Sequence, residues 1–242
     1  MSTGKVSLIA SPIGNLGDIT IRAIECLRQA DLIACEDTRH SRKLLAHYEI
    51  DGKELVSCHD HNEARRAEEI AGRAANGARV SLLTDAGTPS VSDPGYRVVN
   101  ACRERGVEIE ILPGASAVLT ALVGSGFPTD AFYFGGFLPV KSGRKTRVLT
   151  ESIERAETSL FFESPHRIAK TANVLADLAP EREICVAREL TKKFEEFLRG
   201  PAPDVAAELN SRDAVKGEIT LLIRGSGGRK RTDRVDSANE PC

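Results

Sequence analysis

The chain has 242 residues, 41% of them hydrophobic, and a formal net charge of −2. That length suits one large domain or two small ones with a substantial core, and the charge excludes an overall basic field for holding nucleic acid. The absence of Trp and the few aromatics argue against a single-strand stacking platform. Cys26, Cys35, Cys58, Cys102, Cys185 and Cys242 form no C-x-x-C pair and sit mostly in apolar or helical patterns, so they read as reduced, buried thiols. With no signal-type apolar stretch and nothing of membrane-span length, a cytoplasmic protein without a membrane partner is expected.

Residues 1–112 alternate strand and helix patterns. Strands are expected near residues 6–10, 31–34, 54–57, 79–84 and 107–112. The segments between them are long enough for crossovers, so the sheet should be largely parallel. Ile21, Ile24 and Leu27 share one helical face, as do Ala67, Ile70, Ala71 and Ala74. Pro113-Gly114 then breaks the chain before a small-residue helix at 115–123, which places a domain boundary at residue 113. In the second half, strands are expected near residues 131–134, 159–162, 184–188, 195–199 and 218–223, with helices at 144–155 and 166–178. Two β-like runs lie close together within residues 183–200 and suggest a hairpin, hence a mixed sheet. The fold class is therefore α/β, with domains at 1–112 and 113–225. Residues 226–242 have too little apolar content to fold and read as a disordered tail.

The most informative stretch is TDAGTPSVSDPG at residues 84–95, where an apolar strand runs into small, turn-forming and acidic residues. Small residues let a ligand approach the backbone, Asp85 leaves the strand as a hydrogen-bond acceptor, and Asp93-Pro94 looks like a helix start. A phosphate cradle would instead want a Gly-rich run with a Lys. In SPIGNLGDIT at residues 11–20, Pro and Gly shape a loop before the first helix. CEDTRH at residues 35–40 sets two carboxylates beside an Arg at a strand end, which suits a cleft or, equally, a helix cap. At residues 113–118, PGASAV offers free backbone N–H groups at a helix start. FFESPHR at residues 161–167 ends a buried strand in Glu, His and Arg. Cys58-His59-Asp60-His61 has metal-ligating side chains but no second cluster to complete a tetrahedral set, so no metal is expected. The basic runs at residues 40–43, 141–147 and 229–231 are solvated faces unless a site gathers them.

Taken together, SPIGNLGDIT (11–20), DLIACEDTRH (31–40), HDHNE (59–63), the 84–95 loop, GFLP (136–139) and ELTK (189–192) closely resemble one family. It is the bacterial small-subunit ribosomal RNA 2'-O-methyltransferases that modify a decoding-region cytidine, within the tetrapyrrole methylase (class III) superfamily of S-adenosylmethionine enzymes. The resemblance runs in order over about residues 5 to 224. It implies two α/β domains with a cofactor cleft between them, in a homodimer that acts on ribosomal RNA or the small ribosomal subunit. It also implies that Pro12 forms one wall of the S-adenosylmethionine site, that Asp85, Gly87 and Thr88 meet the cofactor's polar end, and that Ser116 and Ala117 present backbone to it. Phe162 and Glu163 would lie beneath the adenosine. Leu190, Glu218 and Ile219 fall in the remaining cleft-forming stretches, while Phe194 is given no polar role.

A ribose hydroxyl is too weakly acidic to ionise at neutral pH, so a group that takes its proton should help. Asp37 and Glu36 are the candidate acceptors, with His59 or His61 as alternatives. Arg39 and Lys192 would position phosphate or stabilise developing charge. RNA phosphates would meet Arg39, Arg42 and Lys43 on one segment and Lys141, Arg144, Lys145 and Arg147 on another. The rival readings are a methyltransferase of the same superfamily acting on a tetrapyrrole or other small molecule, and a non-catalytic ribosome-assembly module that keeps the fold.

Overall fold

The structure, a computed structural model, describes residues 4–227. The chain divides into two compact units: one runs to Thr120 and takes in Glu189–Glu195, the other comprises Ala121–Arg188 and the chain from Glu196 onward. The boundary thus falls inside a helix, α5 (Ala117–Ser125), rather than at Pro113.

In the first unit, β1 (Lys5–Ile9), β2 (Leu32–Cys35), β3 (Glu54–Ser57), β4 (Arg79–Leu83) and β5 (Glu108–Leu112) form a sheet in the order β3-β2-β4-β1-β5. Every pairing is parallel. Crossovers run through α1 (Ile21–Gln29), α2 (Thr38–His47), α3 (Glu63–Ala75) and α4 (Tyr96–Glu104). Alternate strand residues serve opposite faces. Val6, Leu8, Leu32, Val80 and Leu82 pack on α3 and α4 through Ile70, Ala71, Val98 and Cys102. Ile9, Ile33, Cys35 and Leu83 pack on α1 and α2 through Ala23, Leu27, Leu44 and Leu45. Both faces are covered, which is why these strands read as continuous apolar runs. The helix face expected to include Ile21 is rotated: Ile21 is 77% exposed, and Ala23 and Leu27 take the core.

In the second unit, β6 (Phe132–Phe137), β7 (Thr158–Glu163), β8 (Glu183–Arg188), β9 (Glu196–Pro201) and β10 (Ile219–Ile223) form a sheet in the order β6-β7-β10-β8-β9. Only β6 and β7 pair in parallel, so the sheet is mixed and β8–β9 is the hairpin. Phe161, Val186 and Leu221 meet α7 (Ile168–Leu178) and α8 (Ala202–Asn210) through Ala172, Leu175, Val205 and Leu209, with Leu149 of α6 (Ser142–Glu154) completing the cluster. Two residues expected in the tail are held: the Ser226 amide and hydroxyl both donate to Arg155 O at 2.9 Å, and the Gly227 amide to Ala156 O at 3.3 Å. Residues 228–242 lie outside the described residues.

Four of the Cys thiols are buried. Burial pushes Cys58 and Cys185 up to about 12 and Cys102 up to about 11, so none is a thiolate at neutral pH.

Candidate active site

A parallel sheet delivers all its carboxyl ends to one edge, and the crevice opens where neighbouring strands send their connections in opposite directions. Here that point lies between β1, whose chain leaves toward β2, and β4, whose chain leaves toward β5. The two loops there are the ones that stood out in the sequence, residues 11–20 and 84–95. Ser11 and Gly87 exchange both backbone hydrogen bonds, at 2.9 and 3.0 Å. The Ser11 hydroxyl donates to Thr84 O at 2.6 Å, and the Thr84 hydroxyl donates to Gly87 O at 3.1 Å. A third loop joins them: a Cβ on Gly114 would stand 2.9 Å from the Ala10 Cβ, and the Thr88 hydroxyl donates to Ala115 O at 3.4 Å. Pro12, Gly87, Thr88, Ser116 and Ala117 thus belong to one stitched wall. Residues Glu189–Glu195 belong to the same unit. A Cβ on Gly14 would lie 2.4 Å from Lys192 Cγ, so the first loop and the ELTK segment approach at a position only Gly fits. Lys192 Nζ is 2.9 Å from Glu189 Oε1, and Leu190 is buried.

The 84–95 loop is strained and held. Ser90 and Ser92 have φ of 72° and 65°, a left-handed conformation costly for residues with a Cβ, and such strain concentrates at ligand sites. Asp93 does not start the following helix. Helix α4 begins at Tyr96 with Gly95 as its cap, and Gly has no side chain to offer. The missing acceptor comes from α3: Glu63, buried at the helix start, accepts from the amides of Gly95 at 2.7 Å and Arg97 at 3.0 Å. Sequence reading missed Glu63, although the pairing of a side-chain-free cap with a buried Glu at the end of HDHNE was its trace.

Carboxyl groups gather at the ends of β2, β3 and β4. Asp85 Oδ1 accepts from the Asp37 amide at 3.2 Å. Burial, then the charge of Asp85, raises Glu36 above the ordinary carboxylate range, although the Asp85 backbone hydrogen bond opposes this. Burial, then Glu36, Asp85 and Asp60, pushes Asp93 up to about 7. His59 stands beside them: its Nε2 is 3.2 Å from Asn62 Nδ2, while its Nδ1 is buried without a partner. Asp93 was not among the residues expected to act; only its neighbours in space, far off in sequence, distinguish it.

Asp37 is engaged as a cap and in an ion pair. It caps α2, taking the Arg39 amide at 2.8 Å, and its oxygens also receive Arg39 Nε at 3.1 Å and Nη2 at 2.7 Å. The Arg39 guanidinium and the cap amides hold its carboxyl well below the usual range, so it binds a proton worse than an ordinary Asp. Arg39, Arg42 and Lys43 are exposed along α2.

In the second unit, Glu163 ends β7 opposite Ile219 in register, with Glu218 just before it. Glu163 is 3% exposed, and it accepts from Lys145 Nζ at 2.9 Å, the Thr171 hydroxyl at 2.8 Å, Arg167 Nη2 at 2.6 Å and the Ser164 amide at 2.8 Å. Burial alone would raise its pKa, but these donors hold it below the ordinary value. Glu163 therefore serves the fold, and Phe162, half-buried, is the side chain left at this strand end. Lys145 cannot meet RNA: it is 8% exposed and its ammonium is spent on Glu163 and Thr171. Lys141, Arg144 and Arg147 do face solvent.

Comparison with known proteins gives this geometry a family. A protein of Micromonospora olivasterospora named ribosomal RNA small subunit methyltransferase I is 46% identical over 224 residues, covering 93% of this chain and 71% of that one. The Vibrio cholerae protein of the same name is 46% identical, covering 90% and 76%, and that of Bacillus subtilis is 42% identical, covering 94% and 77%. Among solved structures, a uroporphyrin-III-C-methyltransferase from Thermus thermophilus aligns with a TM-score of 0.64 at 21% identity, covering 91% of this chain and 94% of that one. A diphthine synthase aligns at 0.67 and 14%, covering 90% and 89%. Both share the fold. The model of the tetrapyrrole (corrin/porphyrin) methylases matches residues 5–206, and with relatives this similar along nearly the whole chain, the protein belongs to that family.

Proposed function

We propose that this chain transfers the methyl group of S-adenosylmethionine to the 2'-hydroxyl of a cytidine in the decoding region of small-subunit ribosomal RNA. The shared name of its relatives carries the choice of substrate. The site's chemistry supports the donor. S-adenosylmethionine brings a sulfonium and an ammonium but no phosphate, and residues 84–95 contain two carboxylates and neither Lys nor Arg. Glu36, Asp60 and Asp93 add negative charge beside Asp85, and their mutual repulsion is relieved by a cationic ligand.

When bound, the donor supplies a methyl carbon with a sulfur leaving group, so the protein's task is to align the attacking oxygen and exclude water. Asp85, Gly87 and Thr88 hold the donor's polar end, Pro12 walls it, and Ser116 and Ala117 offer backbone. The one hydroxyl proton goes to Glu36 or Asp93, whichever is ionised, because their raised proton affinity suits a base working near neutrality, whereas Asp37 is the poorer acceptor. Arg39, Arg42 and Lys43, with Lys141, Arg144 and Arg147, take phosphates. The resemblance supports a cytoplasmic homodimer as the working form.

The test is incubation with methyl-labelled donor and small subunits lacking the modification, followed by mapping of the labelled nucleotide. Label on a cytidine ribose is expected; label on a base, or none, overturns the reading. Charge reversal at Arg144 and Arg147 is expected to weaken subunit binding while leaving donor affinity intact.

A further inference from the structure

The chain's few aromatics are concentrated on one edge. Strand β6 pairs with β7 through Phe132, Tyr133 and Phe134; the register then breaks and resumes with Phe137 opposite Phe162. The break falls at two glycines. Gly136 has φ of 67°, and a Cβ on Gly135 would stand 2.2 Å from a Phe161 ring carbon, so neither position accepts a side chain. This bulge returns Phe137 to the face that carries Phe134. Both rings pack on Phe162, with centroids 5.0 and 5.3 Å away. The Leu138 amide donates to Phe162 O at 3.0 Å and the Leu138 side chain is buried, so the backbone beside Phe137 is clamped.

Phe137 nonetheless remains 64% exposed, and Phe132, two positions before Phe134 on the strand, and Val140 are exposed as well, whereas Tyr133 turns to the other face against Phe161 and Arg155. Several large apolar side chains left in water within nine residues mark an interaction surface rather than scattered surface residues. The adjoining stretch of chain is basic: Lys141, Arg144 and Arg147 are exposed, with only Glu151, paired to Arg147 at 2.9 Å, set against them. Phe137 and Lys141 are four positions apart, a reach of at most about 14 Å. A polyanion carrying aromatic rings fits both halves.

We propose that Phe137 is a platform on which an unpaired base of the RNA strand stacks, with Lys141, Arg144 and Arg147 holding the adjoining phosphates. This rests on the reading of RNA as substrate and deepens it: the strand is taken with at least one base splayed out, as single-stranded RNA recognition by stacking requires.

The chain has no Trp, so Phe137→Trp introduces a sole Trp at the platform, which can be excited apart from the three Tyr. Adding a short cytidine-containing oligoribonucleotide should quench it, with affinity at least that of the native chain. Phe137→Ala should weaken binding of the same oligonucleotide and of isolated small subunits by roughly 5- to 150-fold, with donor affinity and melting temperature retained. Replacing single nucleotides by abasic ones should erase the difference between Phe137→Ala and the native chain at one position. Unquenched fluorescence, or native affinity in Phe137→Ala, overturns the platform while charge reversal at Arg144 still weakens binding. Loss of dimer in sedimentation of Phe137→Ala, at native RNA affinity, reassigns the patch to an interface between copies. If the native chain neither binds nor methylates small subunits, the RNA reading fails and the platform with it.

Discussion

Two acidic side chains, Glu163 at the end of β7 and Asp93 in the loop after β4, both feel the cost of burial and end in opposite states. Around Glu163, Lys145, Arg167, Thr171 and the Ser164 amide more than offset that cost, and the carboxyl titrates below its ordinary range. Around Asp93, the neighbours are Glu36, Asp85 and Asp60, whose charges add to the cost and push it up to about 7. A carboxylate saturated by donors has nothing left to give a ligand. One surrounded by its own kind gains from any cation that arrives, and until then it is about half protonated at neutral pH.

The contrast can be broken at either end. Lys145→Ala removes the ammonium from a buried carboxylate and should cost about 3–5 kcal/mol in denaturant melts. A change within the noise would make this an ordinary surface pair. Asp85→Ala removes a charge from the open cluster and should weaken donor binding ten- to a hundredfold, about 1.4–2.8 kcal/mol, by calorimetry; native affinity would sink the cofactor reading. Glu63→Ala leaves the Gly95 and Arg97 amides unpaired and should cost about 1–2 kcal/mol, with faster hydrogen exchange at those two amides. Unchanged exchange there would show that α4 holds its own start.

The cluster also predicts a pH dependence. Unfolded, Asp93 loses its proton near the ordinary value of 3.8; folded, it keeps it up to about 7. Its contribution to stability is therefore full below about pH 4 and lost as pH rises to 7. Asp93→Asn escapes that loss, so its stability relative to the native chain should grow as pH rises from 4 to 8. A pH-independent difference would remove Asp93 from the cluster.

Most elements were legible because their signal is local. The strand runs are apolar on both faces since both faces are covered, and the crossovers carry helical periodicity. Helix α8 was not expected; it starts between Pro201 and Pro203, and Pro is well placed in a first helical turn. Lys145 was misread as surface because its charge outweighed its position. It stands on the same stripe as Leu149 and Ser152, both buried, and that spacing was there to be used. Asp37 was equally readable as a helix cap, and the cap is what the structure contains. The site loops could be found from composition alone, but their partners could not. Glu63 and Gly95 lie thirty-two positions apart and meet only once the sheet has formed.

The place of β1 in its sheet bears on how the protein is made. Its first residue, Lys5, pairs with Arg79 on one side and Glu108 on the other. A chain growing from its N-terminus therefore exposes an apolar strand long before either neighbour exists. The interior of the first sheet cannot close until residue 112 has been synthesised, and contacts so distant in sequence are slow to form. A ribosome that stalls before that point releases a sheet missing its last strand, with one flank of β1 bare and ready to pair with another chain.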